Sequence, residues 1–225
     1  MSVGSVSNLS YVPGPDSGLS LWNFSFGKRF FDAVCAATGL LLTLPLMAII
    51  AVAIRVSMPG PILFRQLRVG RDARLFHILK FRTMRVLQPG SAPKVTRRGD
   101  ARITPLGRIL RRFKLDELPQ LFNVLRGDMS LVGPRPDVPE YCQSLAPEFQ
   151  SVFALRPGVT GRATLHFRDE EGVLAAIPPE QLTDYYVSTL LPEKIGLDLD
   201  YARRATFFGD LRIVLQTLTG ASPRA

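Results

Sequence analysis

The chain has 225 residues, 46% of them hydrophobic, and 28 Lys/Arg against 19 Asp/Glu give a net charge of +9. That length holds one substantial domain plus an appendage. Two scattered cysteines imply no disulfide framework, which is consistent with a reducing compartment, and with only two histidines a structural zinc site has no ligand set. The charge is uneven: residues 28–136 carry 20 Lys/Arg and 6 Asp/Glu, whereas residues 137–200 carry 4 and 11. A basic half beside an apolar segment suits anionic headgroups or a phosphorylated substrate, and the absence of a nucleic-acid-binding motif argues against nucleic acid.

Residues 1–27 hold no Lys or Arg and many Ser, Gly and Pro, which reads as a flexible N-terminal tail. Residues 33–54, AVCAATGLLLTLPLMAIIAVAI, then run without a charge. At ~1.5 Å per residue a straight helix of this length would just cross the ~30 Å hydrocarbon core. Lys28 and Arg29 flank one end and Arg55, Arg65 and Arg68 the other, so both ends favour the cytoplasmic side. Pro45 removes an internal amide and predicts a kink. A broken helix over 28–56 that enters one leaflet and returns satisfies both observations; an ordinary spanning anchor is the alternative.

SMPGPILF (57–64) ends the helix, and ILFRQLRVG and ARLFHILKF around Arg71–Asp72 predict an antiparallel hairpin. Residues 86–100 read as a long exposed loop. In LGRILRRFK (106–114), Leu106, Ile109, Leu110 and Phe113 share one helical face among arginines, the pattern of a helix lying in the membrane interface; a core-packed helix with a solvated basic face is the alternative. The apolar phase then shifts to Leu115, Leu118, Leu121, Phe122 and Leu125, which predicts a break near Asp116 and a second helix ending at Gly127. Downstream, SLVGPRPDVPE reads as rigid loop, 140–155 as helical, LRPGVTGRATLHF as turning into a strand, 178–191 as helical, and 197–218 as one long C-terminal helix.

Asp116–Glu117 follows the basic helix directly. A capping Asp with a first-turn Glu is the ordinary explanation of such a pair. Next to Arg111, Arg112 and Lys114, the same carboxylates can instead hold Mg²⁺ and a diphosphate together, and an aspartate can attack phosphorus.

The run LDELPQLFNVLRGDMSLVGPRP (115–136) resembles the signature of the bacterial sugar transferases, the monotopic polyprenyl-phosphate phosphoglycosyl transferases. KRFFD (28–32), PGPILFRQLRVG (59–70), LKFRTM (79–84), RITPLGRILRR (102–112), LRPGVTG (155–161) and DLDYARRATFFGDLRIVLQTL (198–218) resemble its other motifs in order. The resemblance implies an enzyme that moves a sugar phosphate from a nucleoside diphosphate sugar, with uridine the expected nucleoside, to a membrane polyprenyl phosphate and releases the monophosphate. It places the nucleophile on Asp116 and gives Glu117 a part in holding Mg²⁺. Lys80, Arg82, Arg112, Arg135 and Arg156 are candidate phosphate ligands by charge and motif position. Asp128 is a candidate further metal ligand that suits a turn equally well, and His166 reads as structural. Relatives carry a Ser-Pro pair at the kink; here it is Leu44–Pro45, with Thr43 one place earlier, a departure expected to weaken a hydroxyl-to-backbone bond at the bend.

The expected fold is α/β: mostly helical with a small antiparallel sheet, a re-entrant N-terminal helix, interfacial amphipathic helices and a catalytic domain over 57–220. This would be a minimal catalytic form at the cytoplasmic face of the bacterial inner membrane, with homodimer formation left open. A non-catalytic membrane scaffold of a polysaccharide assembly complex is the rival reading.

Overall fold

In the computed structural model, residues 18–85, 96, 98–143 and 145–220 are described. Most of the tail and of the 86–100 loop lies outside them. Residues 18–27 are not loose. Ser20 N and Asn23 Nδ2 donate to Ala202 O at 3.0 and 2.7 Å, and Ser20 Oγ donates to Ala205 O at 2.7 Å, so this stretch is fastened to the far end of the chain.

Helix α1 spans Phe26–Ser57, capped by Ser25, whose hydroxyl accepts from Lys28 N at 3.0 Å. It runs through Pro45 as one element. Thr43 Oγ1 donates to Gly39 O at 2.7 Å, so the threonine supplies a hydroxyl-to-carbonyl bond just before the proline even without a Ser-Pro pair. The hairpin forms as expected: β1 (Leu63–Val69) pairs antiparallel with β2 (Leu75–Phe81), and Asp72 and Ala73 take positive φ in the turn.

Helix α2 (Pro105–Arg112) begins with a Thr104 cap and Pro105 in its first turn. Gly107 lets it lie on the strand exit, since a Cβ there would sit 2.0 Å from Thr83 O. The break arrives two residues earlier than expected, at Lys114 (φ 56°), and a 3₁₀ turn, Leu115–Glu117, leads into α3 (Gln120–Arg126). Gly127, at φ 91°, ends α3 in the left-handed conformation.

Strand β3 (Ser130–Val132), at the start of the stretch expected to be rigid loop, pairs parallel with β4 (Gly158–Thr160), which lies within the LRPGVTGRATLHF stretch expected to turn into a strand. Between them, the helical stretch expected over 140–155 is two pieces, α4 (Pro139–Cys142) and a 3₁₀ run Pro147–Ala154. Residues 162–166 form α5 (Arg162–His166) rather than strand, because the buried Asp198 carboxylate accepts from Ala163 N at 2.9 Å and caps that first turn. After α6 (Glu170–Ala175), helical structure runs from α7 (Leu182–Tyr185) through a π turn, Tyr186–Leu190, into α8 (Leu191–Arg203). The single C-terminal helix is also two: Thr206 breaks it and caps α9 (Phe207–Thr219), with Ala205 buried beneath the Ser20 contact.

Three apolar clusters hold this together. One joins the 3₁₀ run 147–154 to α7 and α8; a second joins α1, α3, β3 and α9; the third packs Leu40, Met47, Ile50 and Ile54 of α1 on Phe81 and Leu110. The third cluster brings α1, β2 and α2 together around the turn that carries Asp116 and Glu117.

Candidate active site

The dyad sits where the 3₁₀ turn meets β2. Asp116 and Glu117 are 7% and 9% exposed. Glu117 Oε1 accepts from Lys80 Nζ of β2 at 2.8 Å and from Arg135 Nη2 at 2.9 Å. Arg135 is aimed by its loop, which Gly133 N and Gly158 N fasten through bonds to Thr160 O and Pro134 O. Arg111 pairs with Glu171 at the rim.

These neighbours drive the two carboxylates apart. Burial alone would raise the pKa of Glu117, but Arg135 and Lys80 outweigh it and hold the carboxyl well below its ordinary range. Asp116 is pushed upward, first by burial and then by the Glu117 charge, against the pull of Lys80, Arg111 and Lys114. Its Oδ1 is buried and has no hydrogen-bond partner among the described residues. One carboxylate is thus fixed and permanently charged, and the other is free at one oxygen for a ligand or an electrophile.

The family model described as bacterial sugar transferase matches residues 23–222, nearly the whole described chain. The chain belongs to the bacterial sugar transferase family. It is 42% identical over 194 residues to the UDP-glucose:undecaprenyl-phosphate glucose-1-phosphate transferase of Caulobacter vibrioides, covering 85% of this chain and 68% of that protein. The transferase of the same name from Escherichia coli K12 is 35% identical over 195 residues, 85% of this chain but 39% of its own length. A UDP-N-acetylgalactosamine-undecaprenyl-phosphate N-acetylgalactosaminephosphotransferase of Aeromonas hydrophila is 40% identical over 143 residues, 62% of this chain and 34% of its own length. The chain therefore spans about two thirds of the first relative and well under half of the other two.

In this sugar transferase the basic residues singled out from the sequence separate into groups. Lys80 and Arg135 meet at the dyad. Arg82 is buried with its two terminal nitrogens donating to Pro59 O and Met58 O, both at 2.8 Å, so its guanidinium ties β2 to the end of α1. Arg112 is exposed on α2, over the Phe113 ring at 5.6 Å. Arg156 donates to Gly127 O at 3.2 Å, and burial together with Arg71 and Arg29 lowers its pKa, which places it in a different charge environment from the dyad. Asp128 accepts from Asn123 Nδ2 at 3.3 Å, and His166 is exposed against the Phe167 ring.

Behind Arg135 lies a polar chain that sequence spacing does not reveal. Lys194 Nζ bonds Glu170 Oε2 at 2.9 Å and Tyr186 Oη at 3.3 Å, and Tyr186 Oη donates to Asp137 Oδ1 at 2.8 Å. The π turn that carries Tyr186 is the local device that brings it there.

No cluster of three or more metal-ligating side chains occurs among the described residues. The donor set nonetheless fits Mg²⁺, which takes one or two carboxylates and completes its shell with water and substrate phosphates. Asp116 and Glu117, the two carboxylates of the dyad, would hold it.

Proposed function

We propose that this chain transfers a sugar 1-phosphate from a UDP-sugar to undecaprenyl phosphate, releasing UMP, by way of a phosphosugar esterified to Asp116. The observation that carries this reading is the asymmetric dyad: Glu117 pinned by Lys80 and Arg135, and Asp116 beside it with one buried oxygen free. Asp116 attacks the sugar-linked phosphorus, an oxygen–phosphorus bond forms, and the bridging bond to UMP breaks with its electron pair on the leaving phosphate. An oxygen of the lipid phosphate then attacks the same phosphorus and the Asp116 ester bond breaks, which restores the carboxylate. Arg135 and Lys80 keep positive charge beside Glu117, where the anionic phosphates would gather. Bound Mg²⁺ would supply neutralisation of diphosphate charge.

The membrane setting rests on α1. Its buried residues recur against the domain from Lys28 to Ile54, roughly 39 Å along a straight helix, and apolar residues are exposed over the same length, from Phe30 and Val34 through Leu41, Leu42 and Leu44 to Ile49, Val52 and Val56. A domain packed along both ends of the helix disfavours a crossing, because one end would draw charged residues into hydrocarbon. A segment that enters the cytoplasmic leaflet and returns accommodates both the packed residues and the exposed apolar ones. Ile109 and Phe113, 55% and 62% exposed beside Arg108 and Arg112, give α2 a face suited to the same interface.

The test is incubation with UDP-glucose, and separately UDP-N-acetylgalactosamine, plus Mg²⁺ and undecaprenyl phosphate. UMP release is expected with one of them and is expected to stop in EDTA. Without lipid, the peptide containing Asp116 should gain the mass of one sugar phosphate. Asp116→Asn should lose adduct and turnover together; turnover near the wild-type rate in that variant would end the covalent assignment.

A further inference from the structure

Five buried side-chain polar atoms lack a hydrogen-bond partner among the described residues. Three are guanidinium Nε atoms. The other two are Asp116 Oδ1 and Gln120 Nε2, one acceptor and one donor, four residues apart. Gln120 is 1% exposed.

The backbone places them together. Leu115–Glu117 is a 3₁₀ turn, Leu118 (φ −51°, ψ −39°) and Pro119 (φ −61°, ψ −17°) are helical, and α3 begins at Gln120. Gln120, four residues on from Asp116 and three on from Glu117, therefore shares a helical face with each of them. That face lies along β2. Glu117 holds Lys80 there, and one turn beyond Gln120 the Asn123 side chain accepts from Leu79 N at 3.0 Å and donates to His77 O at 2.8 Å. Gln120 stands between two residues whose polar atoms are matched to β2, and its own donor is unmatched in the same dry strip. Such a donor is costly unless something pairs with it. A group that offers an electrophilic centre to Asp116 and an oxygen to Gln120 would satisfy both orphans, and a phosphoryl group offers both.

We propose that Gln120 is a phosphoryl-binding residue whose carboxamide donates to a non-bridging oxygen of the phosphorus that Asp116 attacks. This rests on the reading of Asp116 given above. As the Asp116 ester bond forms and the bond to the nucleoside monophosphate breaks, negative charge lies on those non-bridging oxygens, where a fixed donor in a water-poor site stabilises it.

Gln120→Met and Gln120→Leu remove the donor and keep apolar bulk in the strip. Both are expected to melt at or above the wild-type temperature, since Nε2 makes no bond to lose. With the UDP-sugar the wild type uses, Mg²⁺ and undecaprenyl phosphate, kcat for UMP release should fall about 100-fold, the scale of one lost oxyanion donor. KM for the UDP-sugar should shift by less than about threefold. Wild-type kcat in either folded variant, or a fall in melting temperature and activity together in both, would overturn the assignment. The wild-type adduct on Asp116 is a separate reading: its absence ends the covalent route, while the kcat ratio still judges Gln120.

Discussion

Asp116 and Glu117 are chemically near-identical neighbours on one turn, and their surroundings alone separate them. Two cations converge on Glu117 Oε1, and among the described residues nothing hydrogen-bonds to Asp116 Oδ1. Glu117→Gln keeps the shape but leaves Lys80 and Arg135 without their counter-charge, so it should cost about 3 kcal/mol in a chemical melt and also collapse turnover. The proposed adduct requires the Asp116 carboxylate, whose pKa burial and Glu117 raise in the metal-free protein. Without Mg²⁺, the Asp116 carboxyl band in the infrared should therefore titrate above the ordinary aspartate range. Titration at or below that range would mean that the carboxylate behaves as if solvated. Lys114 shows the same priority of site over comfort, since it stands in the left-handed conformation at the position after α2 where glycine is the unstrained choice.

Among the elements, α8 controls more than its own packing. Asp198 accepts from Ala163 N at the start of α5, directly after the β4 segment whose Gly158 N and Thr160 O hold the Arg135 loop through Pro134 O and Gly133 N. Burial raises its pKa from 3.8 to about 7. The folded state thus holds a proton that the unfolded chain releases. That contribution to stability is complete below about pH 4, declines as pH rises towards 7 and is flat beyond it. Asp198→Asn should remove this slope, which is worth a few kcal/mol at the order-of-magnitude level. Wild-type minus variant melts between pH 4 and 8 measure it, and parallel curves would refute it. The shift of apolar phase after Phe113 marked the helix break correctly to within two residues, because local periodicity is what a short amphipathic helix needs. The same reasoning failed over 162–166 and 204–206, where groups from distant segments, the Asp198 carboxylate and the Ser20 hydroxyl, bond Ala163 N and Ala205 O at the turns.

At the scale of the molecule, α1 is part of the catalytic fold rather than a detachable anchor. Lys28 Nζ bonds Asp210 Oδ2 at 2.5 Å and Val132 O at 3.1 Å, Trp22 Nε1 and Tyr201 Oη complete the Asp210 carboxylate, and Asp32 accepts from Leu131 N at 3.0 Å. These bonds join α1 to α9 and β3 beneath the Arg135 loop. The proposed topology is checked with Cys35 and Cys142 replaced by Ala and single cysteines introduced at the exposed Leu21 and Ser57. Both are expected to label from the cytoplasmic side only. Periplasmic labelling at Leu21 would make α1 a crossing. Pro45→Leu restores the missing amide and should increase the fraction that crosses.

The sequence by itself determined the family, the apolar helix, the hairpin, the helix break and the dyad, because these are written in runs of neighbouring residues: uncharged length, alternation, phase and an ordered set of motifs. It also singled out the basic residues that carry the positive charge. Only the tertiary structure decided which of those meet the dyad. Lys80 and Arg135 come 37 and 18 residues from Glu117 to share one oxygen, while Arg82 is spent on backbone carbonyls and Arg156 lies beside Gly127. Side-chain charge is legible position by position. Whether a cation pairs with a carboxylate, and whether a buried amide such as Gln120 goes unpaired, depends on which strand packs against which turn, and that is settled by long-range packing of α1, β2 and the Arg135 loop.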